Sequence, residues 1–204
     1  RQGYPQGYPT AIHADYEWPV KGIDLTASII EEKDYGQRTM GTADTEQITI
    51  ENLSAFTLNI SLQINAENYQ GNLFSIAGVE YGLDKAAVKP YVKIGDKTYW
   101  SSNRLYTSDN WAQNSTGTSS DNWPTPLKAF NITLTYDGNL LTIYRNGLID
   151  QSIEVTGLTA NNINIGGYDG KLHHATVCNR SLTQDEVKML IYRQALKQLS
   201  VPTI

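Results

Sequence analysis

Strict alternation of apolar and polar residues is the feature that most constrains the fold of this chain. The segment Phe56–Ile64 (FTLNISLQI) alternates along its whole length, and Phe130–Tyr136 (FNITLTY) and residues 47–50 follow the same rule. A period of two places one face of a strand against a core and the other face in water. This pattern is typical of antiparallel sheets that bury one side, and it predicts an all-β domain.

Shorter stretches of the same kind fill the intervals between these segments. Turn sequences separate them, and Asn146-Gly147 between two apolar stretches is the clearest hairpin signal in the chain. The pattern predicts additional strands at residues 23–29, 72–77, 79–83, 90–94, 97–100, 140–144, 148–155, 163–165 and 171–178.

The two ends of the chain differ from this strand-rich middle. Residues 1–20 contain two Gly-Tyr-Pro repeats, which favour extended or turn conformations and predict an arm or linker. Thr183 and Glu186 have the spacing of a capping box, and an apolar stripe with helical spacing follows them. We therefore expect a helix over 183–199, within a single domain that spans residues 21–204.

Composition and charge exclude several classes of protein. The formal net charge is −5, and no block of Lys and Arg is present to neutralise the phosphates of a nucleic acid. The sequence contains no run of about 18 apolar residues, which is the length that a helix needs to cross a membrane. The single cysteine, Cys178, permits neither an internal disulfide nor a zinc site built on several thiolates.

Residues 99–126 interrupt the strand rhythm and are rich in Trp and Tyr among Ser, Asn, Thr and Gly. Aromatic faces can stack on the C–H face of a sugar ring, and polar side chains beside them can bind its hydroxyls. The alternative is that some of these aromatics only anchor a long loop to the sheet. The sequence predicts a glycan site formed by Trp100, Asn103, Arg104, Tyr106, Asp109, Asn110, Trp111, Asp121, Asn122 and Trp123.

The polar positions of the two best alternating strands are a second candidate surface. If they line a concave sheet, they form a polar and uncharged floor for a ligand, and otherwise they form an ordinary solvated sheet face. These positions are Thr57, Asn59, Ser61 and Gln63 on one strand and Asn131, Thr133 and Thr135 on the other.

The last third of the chain carries a family pattern. It reads AFNITLTYDG at 129–138, LLTIYRNG at 140–147, IGG at 165–167 and GKLHHATVCNRSLTQDEV at 170–187. This pattern resembles the bacterial laminin-G-like branch of the concanavalin A-like lectin/glucanase superfamily. The motif match covers 129–193, and the order of strands agrees from about residue 20. One departure is that His173-His174 stands where the family commonly has an acidic pair.

The resemblance implies a jelly roll of two antiparallel sheets with a short C-terminal helix. It also implies an accessory module of a secreted or cell-surface bacterial protein, extracellular or periplasmic. The linker interpretation of the first residues predicts an upstream domain, and we expect a signal peptide outside this sequence. Related jelly rolls often hold a rim calcium ion, for which Asp137 and Asp169 are the candidates here. No other cofactor is implied.

The expected function is non-catalytic binding of an oligo- or polysaccharide. Glucanases of this superfamily place paired carboxylates on one strand, in a pattern such as Glu-x-Asp-x-x-Glu, and the sequence has no such pattern. Two alternatives remain open at this point: a protein-interaction or spacer domain without a sugar site, and a glycoside hydrolase or lyase whose carboxylates come from different strands.

Overall fold

The computed structural model describes residues 22–64, 71–84, 89–102 and 130–199, and these residues form twelve strands and one helix. The elements are β1 (Ile29–Met40), β2 (Thr45–Leu53), β3 (Phe56–Ile64), β4 (Gly71–Ile76), β5 (Val79–Asp84), β6 (Lys89–Ile94), β7 (Lys97–Trp100), β8 (Phe130–Tyr136), β9 (Leu140–Arg145), β10 (Leu148–Glu154), β11 (Ala160–Gly166), β12 (Gly170–Cys178) and α1 (Gln184–Leu199).

The strands form two antiparallel sheets of six strands each. Sheet 1 has the order β1-β12-β3-β8-β9-β10, and sheet 2 has the order β2-β11-β4-β5-β6-β7. Strands that are distant in the chain lie side by side in both sheets, as in the pairing of β3 with β12 and of β4 with β11. This architecture is a jelly-roll sandwich, which confirms the predicted fold class.

The alternating strands supply the core between the sheets. Leu58 and Ile60 of β3 are fully buried together with Ile163 and Ile165 of β11. The ring of Phe74 stacks on that of Tyr81 with centroids 5.1 Å apart. Burial of each such apolar side chain stabilises the fold by about 1.5–3 kcal/mol relative to leaving it in water. Because alternation places these side chains on one face of each sheet, the two sheets pack with their apolar faces together.

The first strand of the structure differs from the prediction. The alternating segment 23–29 is not a strand, because the backbone turns at Leu25, whose carbonyl oxygen accepts bonds from the amides of Ser28 and Ile29. The strand begins at Ile29 and continues to Met40 through a charged sequence without an apolar stripe. Because β1 is an edge strand of sheet 1 and most of its residues are exposed, its sequence lacks the signature of a half-buried strand.

Helix α1 forms a second apolar cluster against sheet 1, on the side away from the main core. Val187, Leu190 and Ile191 are buried with Tyr144 and Cys178 of the sheet. The predicted capping box is present: the amide of Glu186 donates to Thr183 Oγ1 over 3.3 Å, and the amide of Thr183 donates to Glu186 Oε1 over 3.0 Å. The helix therefore has a defined start and a packed face.

The polar floor predicted on sheet 1 is wrong in both of its forms, since it is neither a ligand surface nor a solvated face. Gln194 of α1 donates to Asn59 Oδ1 over 2.6 Å and accepts from Ser61 Oγ over 3.0 Å. Only Gln63 of the predicted set is more than slightly exposed. The buried members are Thr57, Asn59, Ser61, Asn131, Thr133 and Thr135.

Candidate functional site

The outer face of sheet 2 carries polar and aromatic side chains. Along β4–β7, residues such as Val79, Tyr81 and Val92 are fully buried. The side chains at the alternating positions of β5–β7 are exposed or half-buried, except at Gly82, which is buried. Because successive strand residues point to opposite sides, Tyr91 and Trp100 lie on the outer side. This face therefore combines aromatic rings with polar groups.

Tyr91 and Trp100 form a cross-strand pair that we call the aromatic platform. The two residues are directly opposite in the register of β6 and β7. Their ring centroids are 5.4 Å apart and the ring planes meet at 60°, so the contact is edge-to-face. Trp100 remains 50% exposed, which leaves much of the indole available to a ligand.

A chain of hydrogen bonds fixes the Tyr91 side of the platform. The Tyr91 hydroxyl donates to Asn72 Oδ1 over 2.5 Å, and Asn72 Nδ2 donates to Glu80 Oε1 over 2.6 Å. Burial, and secondarily the charge of Glu80, raises the pKa of Tyr91 above its usual value. A tyrosine hydroxyl is protonated at neutral pH even at its ordinary pKa, so it can donate to Asn72.

Gly82 gives the Tyr91 side chain its place on the sheet. In the register, Gly82 lies between Asn72 on β4 and Tyr91 on β6. A Cβ atom at this position would overlap the Tyr91 hydroxyl and would lie 2.5 Å from the carbonyl oxygen of Gly71. Only glycine therefore lets the tyrosine side chain cross this strand and reach Asn72.

A buried charged group holds the end of β7, directly after the platform. Ser101 Oγ donates to Asp150 Oδ1 over 2.7 Å, and Arg145 Nη2 donates to the same oxygen over 3.1 Å. The side chain of Asp150 is only 2% exposed. This contact joins the edge of sheet 2 to β10 of sheet 1, so Trp100 lies on a constrained segment.

Trp100 is the one predicted glycan-binding residue within the described part of the chain, and its role as a ligand contact stays a prediction. The other predicted residues lie outside the described residues: Asn103, Arg104, Tyr106, Asp109, Asn110, Trp111, Asp121, Asn122 and Trp123.

Asn72, Glu80, Gly82 and Tyr91 were not predicted from the sequence. Strand register is what brings them together. Asn72, Gly82, Tyr91 and Trp100 form one cross-strand row, and Glu80 is hydrogen-bonded to Asn72. A sequence pattern read along one strand does not contain this information.

The two calcium candidates lie in turns. Asp137 Oδ1 accepts the amides of Asn139 and Leu140 over 2.9 and 2.8 Å, and these bonds lower the pKa of Asp137. Asp169 lies in the turn between β11 and β12. Among the described residues, no group of three or more His, Cys, Asp or Glu side chains gathers where a metal ion could bind. Calcium binding at either aspartate stays a prediction.

Known structures resemble the fold over about half of their own length. The binding domain of botulinum neurotoxin serotype C1 matches with a TM-score of 0.55 and 13% identity, over 83% of this chain and 53% of that one. The binding domain of botulinum neurotoxin DC in complex with SialylT matches with a TM-score of 0.54 and 16% identity, over 80% and 46%. The TM-scores show a shared β-sandwich fold, and at these low identities the likeness is one of fold alone.

A Trypanosoma rangeli sialidase in complex with 2,3-difluorosialic acid also matches, with a TM-score of 0.48 and 16% identity, over 69% of this chain and 23% of that one. No protein-family model matches the chain, and no curated protein matches it by sequence. The laminin-G-like assignment therefore stays a prediction.

Within the described residues, no helix is long and apolar enough to cross a membrane.

Proposed function

We propose that this chain is a carbohydrate-binding domain that holds its ligand on the outer face of sheet 2. The observation that carries the proposal is the half-exposed indole of Trp100, which is supported edge-to-face by a hydrogen-bonded tyrosine. A large aromatic side chain exposed to this extent costs hydrophobic free energy in the unliganded protein. Stacking of a sugar ring on the platform would recover that free energy.

The polar groups beside the platform match the hydroxyls of a saccharide. Glu80 accepts hydrogen bonds, and the exposed amide of Asn72 both donates and accepts them. Their mutual hydrogen bond fixes both side chains before a ligand arrives, which lowers the entropy cost of binding.

Binding without turnover is the form of the activity that these residues support. Glycosidases need two carboxyl groups on either side of the scissile bond, about 5–9.5 Å apart according to mechanism. The cross-strand row of Asn72, Gly82, Tyr91 and Trp100 contains no carboxylate, and Glu80 is the carboxylate bonded to it. Asp150 is buried against Arg145 and serves the fold.

The structural neighbours are compatible with this proposal. One is the binding domain of botulinum neurotoxin DC in complex with SialylT. Another is from botulinum neurotoxin type C, whose cell entry is dependent upon interaction with two ganglioside molecules. The wider setting is also part of the proposal: a laminin-G-like module of a secreted or cell-surface bacterial protein, outside the cytoplasm, joined to a further domain.

A glycan array probed with the full chain and with Trp100→Ala tests the function. We expect the wild type to bind a set of glycans and the variant to lose about tenfold or more in affinity, because a truncated tryptophan at the centre of a contact typically costs about 2 kcal/mol. Leu148→Ala is the matched control, since it removes another exposed apolar side chain, from sheet 1. Absence of any glycan signal with the wild type would refute the proposal.

A protein-interaction domain is the second candidate, and a separate observation favours it. Leu148 and Ile149 lie at the β9–β10 hairpin and are 44% and 56% exposed, so two neighbouring apolar side chains face solvent there. A wild type that binds no glycan on the array, and that binds a protein partner through Leu148 and independently of Trp100, would favour this candidate.

A further inference from the structure

A row of polar side chains crosses the whole of sheet 2 beside the platform. The register places Gln47, Asn164, Ser75, Glu80, Lys93 and Thr98 opposite one another on six successive strands. Four of them are exposed and the other two are half-buried. With neighbouring strands about 4.8 Å apart, the row is about 24 Å long.

The aromatic platform lies along one end of this row. Tyr91 is two residues from Lys93 on β6, and Trp100 is two residues from Thr98 on β7, so platform and row occupy the same outer face. The amides of Asn164 and Gln47 lie at the far end, on β11 and β2. A ligand that stacks on the platform can therefore continue over the amides only if it is several sugar units long.

The chemistry of the row suits an uncharged ligand. Amide and hydroxyl side chains donate and accept hydrogen bonds, as sugar hydroxyls do. The two charged members, Glu80 and Lys93, are opposite in sign and face each other in the register, so the row has no net charge. A polyanion or a polycation would gain nothing overall from these two groups.

We infer that the ligand is an extended, uncharged polysaccharide that lies across the strands of sheet 2, from the platform to Asn164 and Gln47. This inference rests on the proposed function and adds the ligand class and the binding direction. An open sheet face binds the interior of a chain, whereas recognition of a terminal sugar needs a pocket that encloses the end.

The test measures affinity against chain length. Linear gluco-, xylo- and manno-oligosaccharides, from disaccharide to hexasaccharide, are titrated calorimetrically into the wild type, the double variant Gln47→Ala/Asn164→Ala, Trp100→Ala, and Asn161→Ala as the matched control. Asn161 is an exposed asparagine on the same strand that lies outside the row.

In one of these series, we expect wild-type affinity to rise with length, and the double variant to lose about tenfold on the hexasaccharide with no change on the disaccharide. Trp100→Ala should weaken binding at every length, and Asn161→Ala should follow the wild type. Equal affinity at all lengths, or a double variant that follows the wild type, would overturn the inference and leave the proposed function standing. Oligogalacturonides of the same lengths are titrated as the charged comparison, and tighter binding of these than of the neutral series would also overturn the inference. If none of these series binds a wild type that gives a glycan-array signal, the inference fails and the proposed function stands. If the array gives no signal either, the proposed function itself fails.

Discussion

At the residue scale, the candidate site depends on a position that has no side chain. Tyr91 reaches Asn72 only because Gly82 leaves room between them, and the backbone oxygen of Gly71 closes the space on the other side. A side chain there could not be accommodated by a rotamer change of Tyr91 alone. Glycine at this point therefore serves the packing of the sheet and the arrangement of the candidate site together.

Gly82→Ala should reduce both stability and glycan affinity. We expect a loss of about 1–3 kcal/mol in the free energy of unfolding, because the added methyl group forces β4 and the tyrosine away from β5. Urea unfolding measures the loss of stability, and calorimetric titration with an oligosaccharide that binds the wild type measures the loss of affinity. Gly41→Ala is the control, since its Cβ would meet only the Asp44 carboxylate, at 3.3 Å. A Gly82→Ala protein with wild-type stability would contradict this packing.

At the scale of elements, α1 decides which face of the sandwich is accessible. The helix starts at a point fixed by Arg180, whose guanidinium binds both oxygens of Glu186 and donates through Nε to Ser28 Oγ over 2.8 Å. From there its apolar face covers sheet 1, and Gln194 satisfies the polar groups of β3. Burial of polar groups is tolerated at this interface because they are hydrogen-bonded.

The Arg180–Glu186 pair should make this junction sensitive to acid. The bonds from Arg180 lower the pKa of Glu186 to about 2, against an ordinary value of 4.5. A carboxyl group with a lowered folded-state pKa contributes stability that is complete above pH 4.5 and is lost as the pH falls towards 2.

Urea unfolding at a series of pH values checks this expectation. At pH 7, Glu186→Gln should be less stable than the wild type by about 1 kcal/mol, and this difference should vanish near pH 2. Glu154→Gln is the control, because Glu154 is exposed and forms no ion pair within the described part of the chain. A difference that is unchanged by acid would show that the ion pair contributes nothing.

At the scale of the whole molecule, the sequence predicts the sandwich well and the site only in part. The long alternation of β3 and β8 identifies the inner face of sheet 1, because its apolar positions are the ones that are buried in the core between the sheets. The same alternation does not predict what covers the outer face. The outward residues of β3 and of sheet 2 are polar alike, and those of β3 are buried only because α1 packs on them. The charged β1 was missed because an edge strand need not bury an apolar stripe.

The site shows the same limit of sequence information. Trp100 is recognisable as an aromatic residue at the start of a polar segment, but Tyr91 and Asn72 lie 19 residues apart and meet only through the order β4-β5-β6-β7. Contacts that depend on strand register require the fold to be known first.

The most direct test of the account is to locate a bound glycan by NMR. In a ¹H–¹⁵N titration with an oligosaccharide that binds, we predict that the shifted signals include the indole N–H of Trp100, assigned with Trp100→Phe, and the amides of Asn72, Tyr91 and Lys93. Saturable shifts restricted to sheet 1, for example at Leu148 and Ile149 of the β9–β10 hairpin, with the Trp100 indole unmoved, would contradict the assignment of the outer face of sheet 2 as the carbohydrate-binding surface.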